Sequence, residues 1–257
     1  MKSITVENII YGEVSGLDNN LPNELPILPD HIYEERLKKV QVKMKEYEMD
    51  YIVVYGDKEH FSNFHYLTGF EPRFEEGLLI VHKSGTSYIL LGIENYEMYK
   101  LSKIEVEPVL YSAFSIPNNV RTFESLEQLL SKVEMKYGNK VGVVGWKLFE
   151  EGIGEYSSKM FDIPAFIVSA IGNIVGSDHL INVTPWFSNP KDGLRICNTA
   201  DEIAFYEYGA AWASEGVKRV IDNLRVGMSE LELANYLPHQ GLPLSCHPMV
   251  SSEFKLD

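Results

Sequence analysis

The residues that could do chemistry in this chain are scattered, and their spacing matches none of the common catalytic patterns. Seven histidines are present: His31, His60, His65, His82, His179, His239 and His247. None of them belongs to a His-Glu-x-x-His pattern, which holds zinc from one face of a helix. The chain also has no Gly-x-Ser-x-Gly nucleophile elbow and no glycine-rich phosphate loop. The sequence therefore predicts no catalytic residue in this chain.

Carboxylates that could hold a cation are few in the last part of the chain. After Gly227 they are Glu230, Glu232, Glu253 and Asp257. Glu230 and Glu232 fall in the first turn of a predicted helix, where negative charge suits the positive end of the helix dipole. Two hard cations need several oxygen ligands that converge from rigid elements. We therefore expect no metal-binding residue in this chain.

The adjacent pair Cys246-His247 is the most suggestive remaining candidate. It could bind a soft metal or act as a nucleophile with its base, but adjacent side chains rarely point at one another, so a plain loop is the stronger interpretation. Together with Cys197 it brings the cysteine count to two, which supports neither a disulfide framework nor a four-ligand zinc cluster. We therefore expect a reduced, cytoplasmic setting.

The chain is organised around residues 63–70, with the sequence Asn-Phe-His-Tyr-Leu-Thr-Gly-Phe. The apolar residues around Thr68-Gly69 indicate a tight, packed turn. Two short apolar runs follow at 77–81 and 87–91, and the loop between them contains Gly85, which is typical of a β-hairpin. Three charged residues, Asp57, Arg73 and Glu75, occupy the flanking loops, where simple solvation is the expected role.

Helices and strands alternate on both sides of this hairpin. Apolar residues spaced by three and four predict a helix that starts after an N-cap at Asp30. Further helices are predicted at 94–101, 123–137 and 149–160. Strands are predicted at 51–55, 141–144 and 165–168, and an edge strand at 106–110, because Pro108 cannot donate to a sheet. The pattern predicts an α/β fold, with a mixed sheet flanked by helices.

The character of the chain changes at 184–193, where two prolines and a glycine interrupt the alternation. Capping boxes at Thr199 to Glu202 and at Ser229 to Glu232 then open two helices, and 248–252 is predicted to be a strand. We expect three parts: a lead-in arm at 1–30, the α/β domain at 31–186 and an α-rich fragment at 187–257.

Composition excludes several classes of partner. The net charge is −14, from 23 basic and 37 acidic residues, so the negatively charged backbone of a nucleic acid is disfavoured. No apolar run approaches the roughly 18 residues that a membrane span needs. The first 30 residues lack the basic and apolar regions of a secretory signal. We expect a protein that binds neither nucleic acid nor membrane.

Two separated stretches resemble the creatinase, prolidase and aminopeptidase P family. The helix and strand of 31–55, with the 63–70 motif and the hairpin, are similar to its N-terminal domain. The second stretch resembles the opening of its pita-bread catalytic domain, where Arg-x-Lys, Glu-Ile and Pro-Gly-Met-Thr-Glu patterns recur. It comprises Leu194-Arg195, Asp201-Glu202-Ile203 and Arg225-Val226-Gly227-Met228-Ser229-Glu230-Leu231-Glu232. Cys197-Asn198 and Val226 depart from this pattern at surface or cap positions.

The resemblance implies metal-dependent hydrolysis of a bond next to proline, or of a creatine-like amidine. Family members use two divalent cations, Mn²⁺ or Co²⁺, held by two Asp, one His and two Glu. Those ligands would all lie beyond residue 257, so no cofactor is expected in this chain itself. The resemblance also implies a peptide substrate, a homo-oligomer, and a substrate-lining role for His65, Tyr66 and Arg73, since this region lies near the family's cleft.

Three hypotheses therefore stand. The chain is the N-terminal part of an Xaa-Pro peptidase-like protein or of a creatinase-like amidinohydrolase, inactive alone because its metal-binding region is missing. Alternatively, it is a stand-alone, non-catalytic domain that binds a peptide or another chain. The third hypothesis is an intact enzyme that uses a site around Cys246-His247. The apolar face of the helix after Thr199 should be partly exposed, packed on the first domain or covered in an oligomer.

Overall fold

A computed structural model describes residue 12 and residues 21–115, 124–149, 157–237, 244 and 248–251. Contacts between residues divide the chain into two units, Pro29–Asn198 on one hand and Met1–Leu28 with Thr199–Asp257 on the other. The first unit therefore includes residues 187–198. The functional division at residue 186 that the sequence suggests stays a prediction.

The first unit alternates short strands with helices, as the sequence pattern indicates. Its α-helices and strands are α1 (Asp30–Glu46), β1 (Tyr51–Gly56), α2 (Ser62–Thr68), β2 (Gly77–His82), β3 (Ser87–Leu91), β4 (Glu107–Leu110), α3 (Leu126–Lys132), β5 (Val141–Val144), α4 (Ala165–Val175), β6 (Leu180–Asn182) and α5 (Pro185–Ser188). Short 3₁₀ helices occupy Tyr96–Leu101, Ser112–Phe114, Ser157–Lys159 and Ser177–His179.

The strands form one mixed sheet in the order β4-β3-β2-β1-β5-β6. The predicted hairpin is confirmed, because β2 pairs antiparallel with both β3 and β1. The pairs β1–β5, β3–β4 and β5–β6 are parallel. β4, which contains Pro108, lies at the edge of the sheet as predicted, where a residue without an N–H removes no internal ladder bond. The sheet and its helices confirm the predicted fold class.

The two faces of the sheet are covered by different helices. Odd-numbered residues of β1, such as Val53, share a core with α3 and α4 that includes Leu130 and Ile167. Even-numbered residues of β1 point the other way, because strand side chains alternate, and α2 packs on that face. A Cβ added at Gly56 would lie 2.8 Å from the Cβ of Phe64. The absence of a side chain there is what lets α2 approach the sheet.

Residues 63–68 of the 63–70 motif are helical, and this corrects the prediction of a turn. α2 ends at Gly69, which adopts a left-handed conformation (φ 77°) and donates its N–H to the carbonyl of His65. That is a common way to end a helix. Nearly all its side chains are buried or half-buried, so the sequence carries no one-sided apolar stripe from which a helix could be recognised.

A second correction concerns residues 165–168, which begin α4 rather than form a strand. Pro164 occupies the N-cap position, and buried residues at 167, 170, 171 and 175 follow the helical period. The strand that follows β5 in the chain and pairs with it is β6, which is three residues long. At α1 the N-cap is Pro29, and Asp30 is the first helical residue. Most of the helix predicted at 149–160 lies outside the described residues.

The second unit contains two α-helices in its described residues. α6 (Ala200–Asn223) and α7 (Glu230–Ala234) both start with the predicted capping boxes, because Thr199 and Ser229 each accept a bond from the amide three residues on. Several large apolar side chains of α6 are exposed, among them Ile203, Tyr206 and Ile221. Residues 248–251 form no strand, and residue 252 lies outside the described part. No helix in the described ranges is long and apolar enough to cross a membrane.

Candidate functional site

A groove lies at the edge of the sheet where the parallel strands β1 and β5 end. The carboxyl ends of parallel strands are where open α/β sheets commonly bind ligands. The groove encloses about 580 Å³. It is lined by residues from the end of β1, the loop after it and the loop before β2: Tyr55, Asp57, Lys58, Glu59, His60, Arg73, Phe74, Glu75 and Glu76. Aromatic, acidic and basic side chains thus meet in one concavity.

Asp57 holds the loop after β1 in place. One carboxylate oxygen accepts bonds from the amides of Glu59 (2.8 Å) and His60 (2.7 Å). The other accepts from the Tyr55 hydroxyl (3.0 Å) and lies 3.1 Å from Nδ1 of His60. Burial alone would raise the pKa of Asp57, but the bonds from His60, Glu59 and Tyr55 outweigh it and lower the pKa. The carboxylate is therefore ionised at neutral pH.

His60 links the two loops that follow the parallel strands. Its ring stacks on Trp146, which comes directly after the β5 end, with centroids 4.1 Å apart and ring planes 24° from parallel. The Trp146 amide donates to Asp162 (2.7 Å), and its indole N–H donates to the carbonyl of the same residue. The stack therefore connects the groove-lining loop after β1 to the loop after β5, which is held by the bonds from Trp146 to Asp162.

Two further carboxylates stand on the opposite wall. Glu75 is buried and accepts bonds from the amides of Glu94 (3.2 Å) and Asn95 (3.0 Å). Glu76 is half-buried. Burial is the main cause of the raised pKa of Glu76; the bond from its own amide opposes it, and the charges of Asp57 and Glu75 add smaller increases. The surroundings of Glu76 thus disfavour the ionised form of its carboxyl group.

The rim of the groove is formed by Arg73 and Phe74, and both are exposed. Phe74 is 81% exposed and has a left-handed backbone (φ 70°). A bulky non-glycine residue rarely adopts this conformation, and strained backbone tends to occur at functional positions. Lys58, also in the lining, forms an ion pair with Glu71.

The three residues predicted to line a substrate pocket do not come together. Arg73 lines the groove, but neither His65 nor Tyr66 is in its lining. His65 lies in α2 with its ring edge-on to Phe61. Burial, then the charge of Arg36, lowers the pKa of His65, and Arg195 adds to this against Glu71.

Tyr66 is buried and has a structural contact at each end. Its hydroxyl donates to the carbonyl of Leu194 (2.9 Å), and its own carbonyl accepts from Arg36 (2.8 Å). The Arg36 guanidinium lies over the Tyr66 ring, 4.2 Å from the centroid. The Tyr66 ring also meets Phe187 edge-on. Its contacts are therefore those of packing, and a substrate-lining role for it stays a prediction.

Asn63 is a residue whose importance the sequence did not reveal. It is 2% exposed. Its side-chain amide donates to the carbonyl of Gly145 (2.7 Å), and its oxygen accepts from Arg195 (2.9 Å). It therefore ties α2 both to the end of β5 and to the segment after α5. Such a role depends on residues more than 80 positions away in sequence, so no local signal could have identified it.

A second cavity, of about 750 Å³, lies at the other end of β1, between the last turns of α1 and the β2–β3 turn. Its lining includes Val42, Met44 and Met49, with Lys83 paired to Asp50 at 2.6 Å. Although it is larger, it contains no group of side chains that suggests a reaction. We therefore place the candidate site at the groove.

A metal centre of the kind that the family resemblance implies does not fit the described residues. They contain no group of three or more His, Cys, Asp or Glu side chains that could hold a metal ion. In the groove, both oxygens of Glu75 and one of Asp57 are already bonded to backbone amides, and the other oxygen of Asp57 accepts from the Tyr55 hydroxyl. Cys246 and His247 lie outside the described residues. No step through a metal is derived for this chain.

Comparison with known proteins agrees with the fold. Residues 36–157 match the model of the creatinase/prolidase N-terminal domain. This stretch of the chain is thus similar to the creatinase/prolidase N-terminal domain. No curated protein sequence gives a significant match.

Solved structures show the same fold. The prolidase from Pyrococcus horikoshii OT3 is 18% identical, with a TM-score of 0.55 over 79% of this chain and 47% of its own. The prolidase from Thermococcus sibiricus is 22% identical, with a TM-score of 0.56 over 80% of this chain and 48% of its own. The X-Pro aminopeptidase from Thermotoga maritima MSB8 is 14% identical, with a TM-score of 0.53 over 78% of this chain and 47% of its own. The chain spans about half the length of these solved structures.

Proposed function

We propose that this chain is the N-terminal part of an Xaa-Pro peptidase-like protein, and that the groove is where a peptide contacts it. The observation that carries the proposal is the position of Arg73, the single predicted substrate-lining residue in the groove, which it shares with four carboxylates. The structures that match the fold are named as prolidases and an X-Pro aminopeptidase. A guanidinium at the rim suits the carboxylate end of a short peptide.

We propose further that residues 1–257 bind but do not hydrolyse such a peptide. The resemblance assigns the two cations to ligands in a segment that this sequence does not include, and the described residues offer no substitute. The proposed cytoplasmic location rests on the two cysteines, which suggest no disulfide framework, and the proposed homo-oligomer rests on the resemblance. Exposed apolar residues of α6, such as Ile203 and Ile221, support a covering partner.

The test combines hydrolysis, metal content and binding. The purified chain is incubated with Ala-Pro and Ala-Pro-Gly in the presence of Mn²⁺ or Co²⁺, and product release and bound metal per chain are measured. We expect no hydrolysis and no stoichiometric metal, but weak binding of Ala-Pro-Gly detected by calorimetry or NMR. Two tightly bound metal ions per chain, or product release proportional to chain concentration, would contradict the proposal.

A matched pair of variants locates the binding. Arg73→Ala should weaken binding of Ala-Pro-Gly by about three- to tenfold, because it removes one charge-assisted contact at an exposed site. Lys39→Ala, an exposed cation on α1, removes the same charge and should leave binding unchanged. Equal losses in both variants would point to general electrostatics instead.

Two other functions are compatible with the same domain. A stand-alone, non-catalytic binding or oligomerisation domain would use the same groove or the exposed α6 face. A creatinase-like amidinohydrolase fragment would bind creatine in place of a peptide, so creatine is included as a ligand in the titration. Binding of creatine with no binding of Ala-Pro-Gly would favour that second alternative.

A further inference from the structure

The groove carries more negative than positive charge within reach of a ligand. Asp57, Glu59, Glu75 and Glu76 line it, against Lys58 and Arg73. Lys58 is already paired with Glu71, which lies outside the lining. Asp57 contacts the His60 ring, which also lines the groove, at 3.1 Å. Its other bonds, and those to Glu75, come from backbone amides and the Tyr55 hydroxyl, which solvate a carboxylate without adding a full positive charge.

The carboxylates are also close enough to disfavour one another. The raised pKa of Glu76 has the charges of Asp57 and Glu75 among its causes, after burial. Like charges that share a site raise the pKa of one member, and a bound cation relieves the repulsion. Glu76 is half-buried in the lining of the cavity, and its pKa is lowered only by the bond from its own amide.

An aromatic side chain stands beside these charges. Phe74 is 81% exposed on the rim and held in a left-handed backbone conformation. The Tyr55 ring forms part of the floor, with its hydroxyl directed at Asp57. An aromatic face attracts a cation and also covers the methylene groups of a long side chain. Acid and aromatic groups together suit an organic cation better than a bare metal ion.

We infer that the groove selects peptides that carry a lysine or arginine side chain, whose cationic head lies against Glu76 and Asp57 while its methylene stem packs on Phe74. This inference rests on the proposed function, because it names the ligand chemistry of the same groove. Arg73, at the rim, then contacts the carboxylate of the same peptide.

The experiment compares two N-acetylated peptides, acetyl-Lys-Pro-Gly and acetyl-norleucine-Pro-Gly, which differ essentially in the ammonium group. Acetylation removes the terminal ammonium, so only the side chain differs in charge. We expect the lysine peptide to bind about five- to tenfold more tightly at low ionic strength, and the difference to shrink as salt is added. Glu76→Gln should remove most of this preference.

The control is Glu46→Gln, which removes the same charge from an exposed position at the end of α1 and should leave the preference intact. Failure of the inference and failure of the proposed function give different results. Equal affinity for the two peptides, or a preference unchanged by Glu76→Gln, would overturn the inference alone. No binding of either peptide or of Ala-Pro-Gly would overturn the proposed function.

Discussion

Asn63→Ala is the substitution that tests the architecture behind the groove. The side-chain amide of Asn63 bonds the carbonyl of Gly145 at 2.7 Å, and its oxygen accepts from Arg195 at 2.9 Å. The first bond connects α2 to the end of β5. The second connects α2 to the segment that follows α5. Alanine removes both without adding a new group, so the loss reports on these two connections.

The two bonds contribute unequally to the expected loss of stability. Gly145 is buried, and taking the donor away from a buried carbonyl costs about 1–3 kcal/mol. Arg195 is exposed, so solvent screens its bond and its share is at most about 1 kcal/mol. Asn63→Ala should therefore lower the free energy of unfolding by about 1–4 kcal/mol. Arg195→Ala should lower it by about 1 kcal/mol or less.

Urea unfolding measures the stability change, and amide hydrogen exchange locates it. The amides of Leu194 and Arg195 bond the carbonyls of Trp186 and Phe187, and their exchange should accelerate in Asn63→Ala. Ser62→Ala is the control in the same helix, because Ser62 is exposed and should change stability by less than about 0.5 kcal/mol. A loss below about 0.5 kcal/mol in Asn63→Ala, with exchange unchanged, would refute the reasoning.

Three further perturbations test other parts of the first unit. Gly56→Ala places a Cβ 2.8 Å from Phe64 and should destabilise by about 1–3 kcal/mol in urea unfolding, whereas Gly209→Ala, with open space around it, should not. The pKa of His65 is lower in the folded protein than in the unfolded chain, where it is near 6.5. The neutral His65 therefore contributes to the free energy of unfolding above that pH, and this contribution is lost as the pH falls below it. The His65→Gln variant should flatten that part of the pH–stability profile, and an unchanged slope would contradict this. Glu76 has a raised pKa, so wild-type stability should fall as pH rises through the folded pKa. The Glu76→Gln variant should be equally or more stable at pH 7, and a clear loss would contradict the like-charge argument.

The sequence predicted those parts of the fold that local patterns specify. The hairpin follows from two apolar runs around Gly85, the edge position of β4 from Pro108, and the starts of α6 and α7 from their capping boxes. Each depends on residues a few positions apart. The order of the strands does not follow from such patterns, because parallel pairing of β1 with β5 joins segments about 90 residues apart.

The errors have the same physical origin. α2 was predicted as a turn because a short helix with nearly all side chains buried shows no amphipathic period. Residues 165–168 were predicted as a strand because four apolar residues fit a buried strand and a buried helix equally well. Pro164 and the buried positions at 171 and 175 favour the helix, but they become decisive only when the longer window is considered.

The candidate site was the least predictable part, and α2 shows why. Of this helix, His65 and Tyr66 are predicted to line a substrate pocket, and that role stays a prediction. Asn63, Phe64 and Tyr66 contact the ends of β5 and β1 and the 185–196 segment. The groove itself is built from loops on either side of this helix. Substitutions in α2 should therefore weaken peptide binding only in proportion to their effect on stability. Substitutions at Arg73 or Glu76 should change binding while stability stays near wild type, and that contrast separates the scaffold from the surface that meets the ligand.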